Sequence, residues 1–188
     1  MEHVTFNGIG LLSAPGRVMT PRPTSERLVA AAAARLHGRR ARVADVGTGS
    51  GALAVAIARE CSDVELWATD TSRCAVLLAR ANVRAHGLDD RVTVCRCDLL
   101  DDVPAPVDLI VANLPYLPAS AVLEHPDLWA EPFESVFSPG DGLEPYRRLE
   151  AAAQAWLAED GELLLQLHRR VIAVARAELA AFGVALVP

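Results

Sequence analysis

From position 42 onward, short runs rich in apolar and β-branched residues alternate with longer stretches whose apolar positions recur at helical spacing. The β-like runs are 42–46, 64–69, 92–97, 107–112, 162–167 and 184–187. The helical stretches are 51–59, 72–86, 144–158 and 169–182, the second ended by Gly87. The run 107–112 is strongly apolar, as strands buried on both faces are. Such alternation predicts an α/β domain with a doubly wound, mainly parallel sheet, Rossmann-like and covered by helices on both faces.

The chain before this unit reads differently. Residues 4–19 carry Gly8, Gly10 and Gly16 as turn residues and predict irregular or hairpin-forming structure. Thr20-Pro21-Arg22-Pro23-Thr24 fixes an extended entry to a helix over 25–37, which Thr24 or Ser25 can cap. The expected division is a flap and first helix over 1–38, packed on a core over 39–188, with one domain overall. Residues 117–143 hold Pro118, Pro126, Pro132 and Pro139 and lack periodicity. Loops of that length in a compact domain are usually functional or mobile.

Composition narrows the class. With 188 residues, 52% of them hydrophobic, the chain suffices for one well-packed domain. Its formal charge is -6, and all 18 basic side chains are Arg. An acidic domain has no general attraction to a phosphate backbone, which disfavours broad nucleic-acid binding but leaves room for a local Arg patch. The longest apolar run, 28–34, is far short of a bilayer span, and Met1-Glu2-His3 does not open a signal peptide. The expectation is a cytoplasmic protein without a membrane partner. Cys61, Cys74, Cys95 and Cys97 lack zinc-site spacing; Cys95 and Cys97 would share one strand face as reduced, structural thiols, with no metal.

The strongest local signal is Val43-Ala44-Asp45-Val46-Gly47-Thr48-Gly49-Ser50-Gly51, between a strand and a helix. Alternating glycines there let a ligand approach the backbone at a helix N-terminus. Gly47, Gly49 and Ala52 also satisfy a dinucleotide fingerprint, with Asp70 spaced to hold a ribose. Asp45 tips the choice, because a carboxylate beside the loop would repel a pyrophosphate. It suits a cationic ligand such as S-adenosylmethionine (SAM), whose ammonium and sulfonium are both positive. Asp70 can accept from both ribose hydroxyls, and Asp98, after the third strand, from an adenine amino group.

The fourth strand runs into Asn113-Leu114-Pro115-Tyr116. The Asn113 side-chain oxygen and the Leu114 carbonyl can each accept one hydrogen of a planar NH2 group. Those bonds aim the nitrogen lone pair and strengthen as it becomes positive during attack. Tyr116 can stack on the planar group, and Pro115 stiffens the turn. Trp129 and Trp156 read as packing residues, and His125 and His168 as ordinary surface or core histidines.

These residues carry a resemblance. The glycine loop, Asp70, Asp98 and Asn113-Leu114-Pro115-Tyr116 resemble the class I SAM-dependent methyltransferases that act on planar nitrogens. Pro21-Arg22-Pro23, Glu131-Pro132, Asp141-Gly142-Leu143 and Tyr146-Arg147-Arg148-Leu149 are similar to elements of the protein-(glutamine-N5) methyltransferase family, the HemK/PrmC type. The resemblance implies methyl transfer from SAM to a glutamine side chain, typically in the Gly-Gly-Gln loop of a peptide-chain release factor. It implies a cofactor set of Asp45, Gly47, Thr48, Gly49, Gly51, Asp70, Thr71, Asp98, Leu99 and Asn113. Asn113, Leu114, Pro115 and Tyr116 would be catalytic, and Arg22, Pro23, Asn113 and Tyr116 would bind substrate.

Departures keep other readings open. Leu114 stands where the family usually has proline, and Asn-Leu-Pro-Tyr also resembles rRNA adenine dimethyltransferases. Thr24 replaces the family's first glutamate after the prolines. No counterpart of the helical N-terminal domain of bacterial members is visible, and the last antiparallel strand of the fold is expected to be lacking. The alternatives are an N6-adenine nucleic-acid methyltransferase, a small-molecule N-methyltransferase, a non-catalytic SAM-binding subunit and an NAD-dependent oxidoreductase.

Overall fold

The computed structural model describes residues 1–168, 171–172 and 184–187. It opens on an antiparallel hairpin of β1 (Glu2–Phe6) and β2 (Ile9–Ser13). Asn7 and Gly8 turn it with φ of 49° and 70°, the left-handed pair that Asn-Gly supplies most readily. A 3-10 turn at Pro23–Ser25 leads into α1 (Glu26–Leu36). The core follows as β3 (Ala41–Val46), α2 (Ala52–Glu60), β4 (Val64–Thr69), α3 (Arg73–Ala85), β5 (Val92–Cys95) and β6 (Val107–Ala112). Next come β7 (Leu117–Pro118), 3-10 turns at Ala119–Glu124 and Pro126–Leu128, α4 (Phe133–Val136) and β8 (Phe137–Ser138). The last described elements are α5 (Glu144–Trp156), β9 (Leu157–Gln166) and β10 (Val184–Val187).

Six strands form one sheet in the order β10-β9-β6-β3-β4-β5, and each neighbouring pair is parallel. The chain starts in the middle at β3, moves out to β5, then returns to the other side through β6. That reversal between β3 and β6 opens a crevice at the carboxyl ends of the strands, where ligands bind in open α/β sheets. Alternate strand residues feed two cores. Val43, Leu66, Leu109 and Leu164 pack with α1, α2 and α3, whereas Ala44, Trp67, Ile110 and Leu163 pack with α5. Burial on both faces explains why 107–112 is almost continuously apolar. Among the described residues, no helix is long and apolar enough to cross a membrane.

Most sequence expectations hold to within a residue or two, and the departures have physical reasons. The third core strand ends at Cys95, not at 97, so Cys95 and Cys97 do not share a strand face. Strand β9 starts five residues before the expected 162. Helix α5 runs straight into it, and a register irregularity between Val107 and Leu109 absorbs the offset. Residues 117–143 form a chain of short elements in which β7 pairs in parallel with β8. Trp156 packs against the α5-side core and its Nε1 donates to the Val103 carbonyl at 2.8 Å. Trp129 is not a core residue: 60% of it is exposed, with Nε1 bonded to the Val122 carbonyl. The helix expected over 169–182 lies almost wholly outside the described residues.

Candidate active site at the sheet's switch point

The glycine loop is built from three left-handed residues, Gly47, Gly49 and Gly51, with φ of 72°, 57° and 80°. They are not interchangeable. A Cβ on Gly47 would lie 2.6 Å from Leu114 Cδ2, and one on Gly51 would lie 3.1 Å from the Ala79 backbone of α3. Those two glycines permit close packing. A Cβ on Gly49 would meet only a Val18 methyl at 3.9 Å, so this backbone is left open. The Thr69 carbonyl accepts from both Gly47 and Thr48 N–H groups at 2.9 Å, fastening the loop to the end of β4.

Three aspartates surround this loop in unlike environments. Asp70 directly follows β4, and its two carboxylate oxygens accept from Gly49 N–H at 2.9 Å and Ser72 N–H at 2.8 Å. Burial raises its carboxyl above the ordinary aspartate range, with these N–H groups offsetting part of the effect. Asp45 is fully buried beneath the loop. Its Oδ2 accepts from the Thr48 hydroxyl at 2.6 Å, while Oδ1 has no hydrogen-bond partner. Burial pushes its pKa up to about 7; the Thr48 hydroxyl and the Ala54 N–H pull the other way, and the nearby Asp70 adds to the rise. Asp98 lies three positions beyond the end of β5 and forms an ion pair with Arg148 of α5. Next to it Leu99 adopts a left-handed φ of 46°, its carbonyl held by the Thr69 hydroxyl at 2.7 Å.

Two cavities meet here. A cleft of about 250 Å3 is lined by Gly47, Gly49, Asp70, Thr71, Asp98, Leu99 and Arg148, and by Asn113, Leu114 and Pro115, which it shares with its neighbour. The adjoining cavity, of about 430 Å3, shares Met19, Asn113, Leu114, Pro115 and Ser135 with the cleft and is lined further by Arg22, Pro23, Thr24, Tyr116, Leu128, Val136, Gln166 and His168. His168 is therefore a cavity residue, which its sequence surroundings did not suggest. A smaller recess of about 60 Å3 lies between Thr48, Gly49, Arg22 and Asn113. Of the expected cofactor residues, Gly47, Gly49, Asp70, Thr71, Asp98, Leu99 and Asn113 line the cleft, Thr48 lines only the small recess, and Gly51 borders none of the three spaces. The expected acceptor residues Arg22, Pro23, Asn113 and Tyr116 line the larger cavity. Asp45 borders none of the three spaces.

The shared residues are held from behind. Tyr146 is fully buried, and its hydroxyl accepts from Leu114 N–H at 3.0 Å. The same hydroxyl reaches the Leu114 and Gln166 carbonyls, each at 2.8 Å. Its single proton is shared between those two carbonyls, so the Leu114 carbonyl keeps at least one lone pair for another donor. Gly142, with φ of 91°, passes so close to the loop that a Cβ would lie 2.2 Å from the Tyr116 carbonyl oxygen. Asp141 sets that turn by accepting from Leu143 N–H and from Arg147, whose guanidinium holds the carboxyl down to about 2.

The N-terminal segment supplies the outer wall. Arg22 pairs with Glu131 at 3.1 Å, and Glu131 also accepts from Thr20 N–H at 3.1 Å. Asn82 of α3, 1% exposed, accepts from Leu12 N–H and donates to the Leu12 and Ser50 carbonyls. It thereby ties the hairpin to the glycine loop. Ser25 does not cap α1, contrary to expectation; its hydroxyl meets Asn113 instead. The sequence signalled Glu131, Gly142, Tyr146 and Arg148 only through family-like stretches, and Asn82 not at all. Among the described residues no cluster of three His, Cys, Asp or Glu side chains could hold a metal ion.

Comparison with known proteins places this geometry in a class. The family model described as Methyltransferase small domain matches residues 23–126, and the chain is a methyltransferase of that class. It is 38% identical to the release factor glutamine methyltransferase of Deinococcus radiodurans, over 97% of this chain and 67% of that one, and it belongs to that family. A second relative of the same description, from Xylella fastidiosa, is 41% identical over 79% of this chain but 54% of its own length. The chain thus spans between half and two thirds of these curated relatives. Among solved structures, a ribosomal protein L11 methylase from Lactobacillus delbrueckii superposes with a TM-score of 0.58 at 25% identity, covering 86% of this chain and 71% of that one.

Proposed function

We propose that the chain transfers a methyl group from SAM to a side-chain amide nitrogen of a protein, with the glutamine of a peptide-chain release factor as acceptor. The observation that carries this reading is the shared lining. Asn113, Leu114 and Pro115 line both the cofactor-sized cleft and the acceptor cavity. Ligands in the two spaces would meet along the five residues the cavities share, Met19, Asn113, Leu114, Pro115 and Ser135, which offer hydrogen-bond acceptors and no titratable side chain.

The residues present suit SAM, which supplies a methyl group on a sulfonium that leaves as a neutral thioether. The space over Gly49 admits a ligand against the backbone. Each Asp70 oxygen accepts one N–H in the free protein and keeps a lone pair for a ribose hydroxyl. Thr71, Asp98 and Leu99 flank the adenosine end, and Gly47, Thr48 and Gly51 shape the turn beneath the amino-acid end. Asp45 supports that turn through Thr48, and its unpartnered oxygen lets a cation above the loop favour the ionised form.

On the acceptor side, Asn113 Oδ1 takes one hydrogen of the amide NH2 and a lone pair of the Leu114 carbonyl takes the other. Both bonds strengthen as positive charge develops on nitrogen. Pro115 limits the freedom of the loop, and Tyr116 covers the planar group. Arg22 and Pro23, from the 1–38 flap, wall the cavity. Residues 117–139 carry Glu124, Asp127, Glu131 and Glu134 and no Arg or Lys; Glu131 is paired with Arg22, and the acidic balance of the remainder favours a protein acceptor over nucleic acid.

Methyl-labelled SAM incubated with the chain and a release factor tests the reading. Label should enter the release factor and vanish when its Gly-Gly-Gln glutamine is replaced. Label entering only RNA or a metabolite fraction would overturn the protein acceptor, and calorimetric binding of NAD in place of SAM would overturn the cofactor.

A further inference from the structure

Ser25 precedes α1 but makes no capping bond to it. Pro23–Ser25 already form a 3-10 turn, closed by Ser25 N–H on the Arg22 carbonyl at 2.9 Å. Its backbone is accordingly helical (φ −76°, ψ −11°), where a capping residue is usually extended. The side chain is thereby turned away from the first N–H groups of α1. In a residue only 5% exposed, Oγ instead accepts from Asn113 Nδ2 at 3.1 Å, across 88 positions of sequence.

A carboxamide has two ends of similar shape and opposite hydrogen-bond character. Which end faces the acceptor cavity decides whether Asn113 meets an incoming NH2 group with an acceptor or with another donor. With one Nδ2 hydrogen donated to Ser25 Oγ, the oxygen is the end left to accept from a group in the cavity. The support is firm, because the same turn is tied down on two further sides. Arg22 and Thr20 N–H hold Glu131, and Glu26 accepts from Asn7 N–H at 2.8 Å.

We infer that Ser25 is a positioning residue for the methyl-transfer reaction, acting through Asn113 by holding its amide in the acceptor orientation. This assignment rests on the amide-methylation reading above.

Ser25→Ala, Ser25→Cys and Ser25→Thr in the full chain test it, with SAM and a short Gly-Gly-Gln peptide as substrates. Ala and Cys should lower kcat about tenfold while the peptide KM and calorimetric SAM affinity stay within about twofold of wild type. Thr, which keeps the hydroxyl, should restore kcat to within about twofold. In an Asn113→Ala background the Ser25→Ala change should cost less than about twofold more, since the group it acts through is gone. Melting curves identify any misfolded variant, and the near-isosteric Cys carries the test if Ala does not fold. An unchanged kcat, failure of Thr to rescue, or the same tenfold loss in both backgrounds overturns the assignment. A wild-type chain that methylates neither the peptide nor a release factor overturns the reading beneath it.

Discussion

The Tyr146 hydroxyl accepts from Leu114 N–H at 3.0 Å and stands 2.8 Å from the carbonyl of the same residue. One buried side chain thus stands against both backbone polar groups of a single residue that lines two cavities. Burial also drives the phenol well above its ordinary pKa, so the tether stays protonated throughout any working pH range. Replacing the hydroxyl by hydrogen leaves a buried N–H without a partner, at a cost of about 1–3 kcal/mol. Tyr146→Phe should therefore melt earlier. It should also turn over about tenfold more slowly as the loop loses its position, with SAM affinity little changed. Unaltered melting and turnover would show the tether to be idle.

Gly142→Ala tests the contact from the other side. The added carbon would stand 2.2 Å from the Tyr116 carbonyl at a backbone φ of 91°, and neither that backbone oxygen nor the conformation gives way cheaply. A loss of at least about 2 kcal/mol in denaturant unfolding is expected, with acceptor turnover falling more than SAM binding. A variant of wild-type stability would mean the loop has room that this packing denies.

Asp45 gives the protein a pH dependence of definite sign. Below about pH 4 its carboxyl is protonated in folded and unfolded chains alike and contributes nothing. As pH rises the unfolded chain releases the proton first, so Asp45 increasingly disfavours folding until about pH 7, where the penalty levels off at on the order of 4 kcal/mol. Asp45→Asn keeps an oxygen for the Thr48 hydroxyl and removes the titration. The melting temperature of the variant minus that of wild type should rise between about pH 4 and pH 7. A difference that is flat with pH would place the carboxyl outside its buried setting. SAM affinity should rise through neutral pH in wild type and not in the variant.

Asn113→Ala should lower kcat about a hundredfold or more with SAM affinity near wild type, as expected for loss of a contact made in the transition state. Lost SAM binding instead would move Asn113 from the acceptor to the cofactor.

Local signals in the chain were legible and distant ones were not. The strands at 64–69, 107–112 and 184–187 stand where the apolar runs place them; for 107–112, burial on both sheet faces leaves little choice of boundary. The glycine loop is equally readable, as its spacing and its turn are the same object. Residues 157–161, Leu-Ala-Glu-Asp-Gly, look like a helix end and a turn; only the partner strand, through its irregularity at 107–109, reveals them as β9. Ser25 misleads for a related reason. Its sequence neighbours make it a cap, while the side chain that claims it is 88 positions away. Asp45 reads as a ligand-side carboxylate because its place at a strand end is visible and its depth beneath the loop is not.

The sharing of Asn113, Leu114 and Pro115 between two cavities has a pharmacological corollary. Two ligands in adjoining cavities that share lining residues can be joined by a short tether, and the second then binds at the high local concentration set by the first. A single compound bearing an adenosine and a primary carboxamide would span both chambers. Its selectivity would come from the tether's length, which proteins with more widely separated chambers could not match.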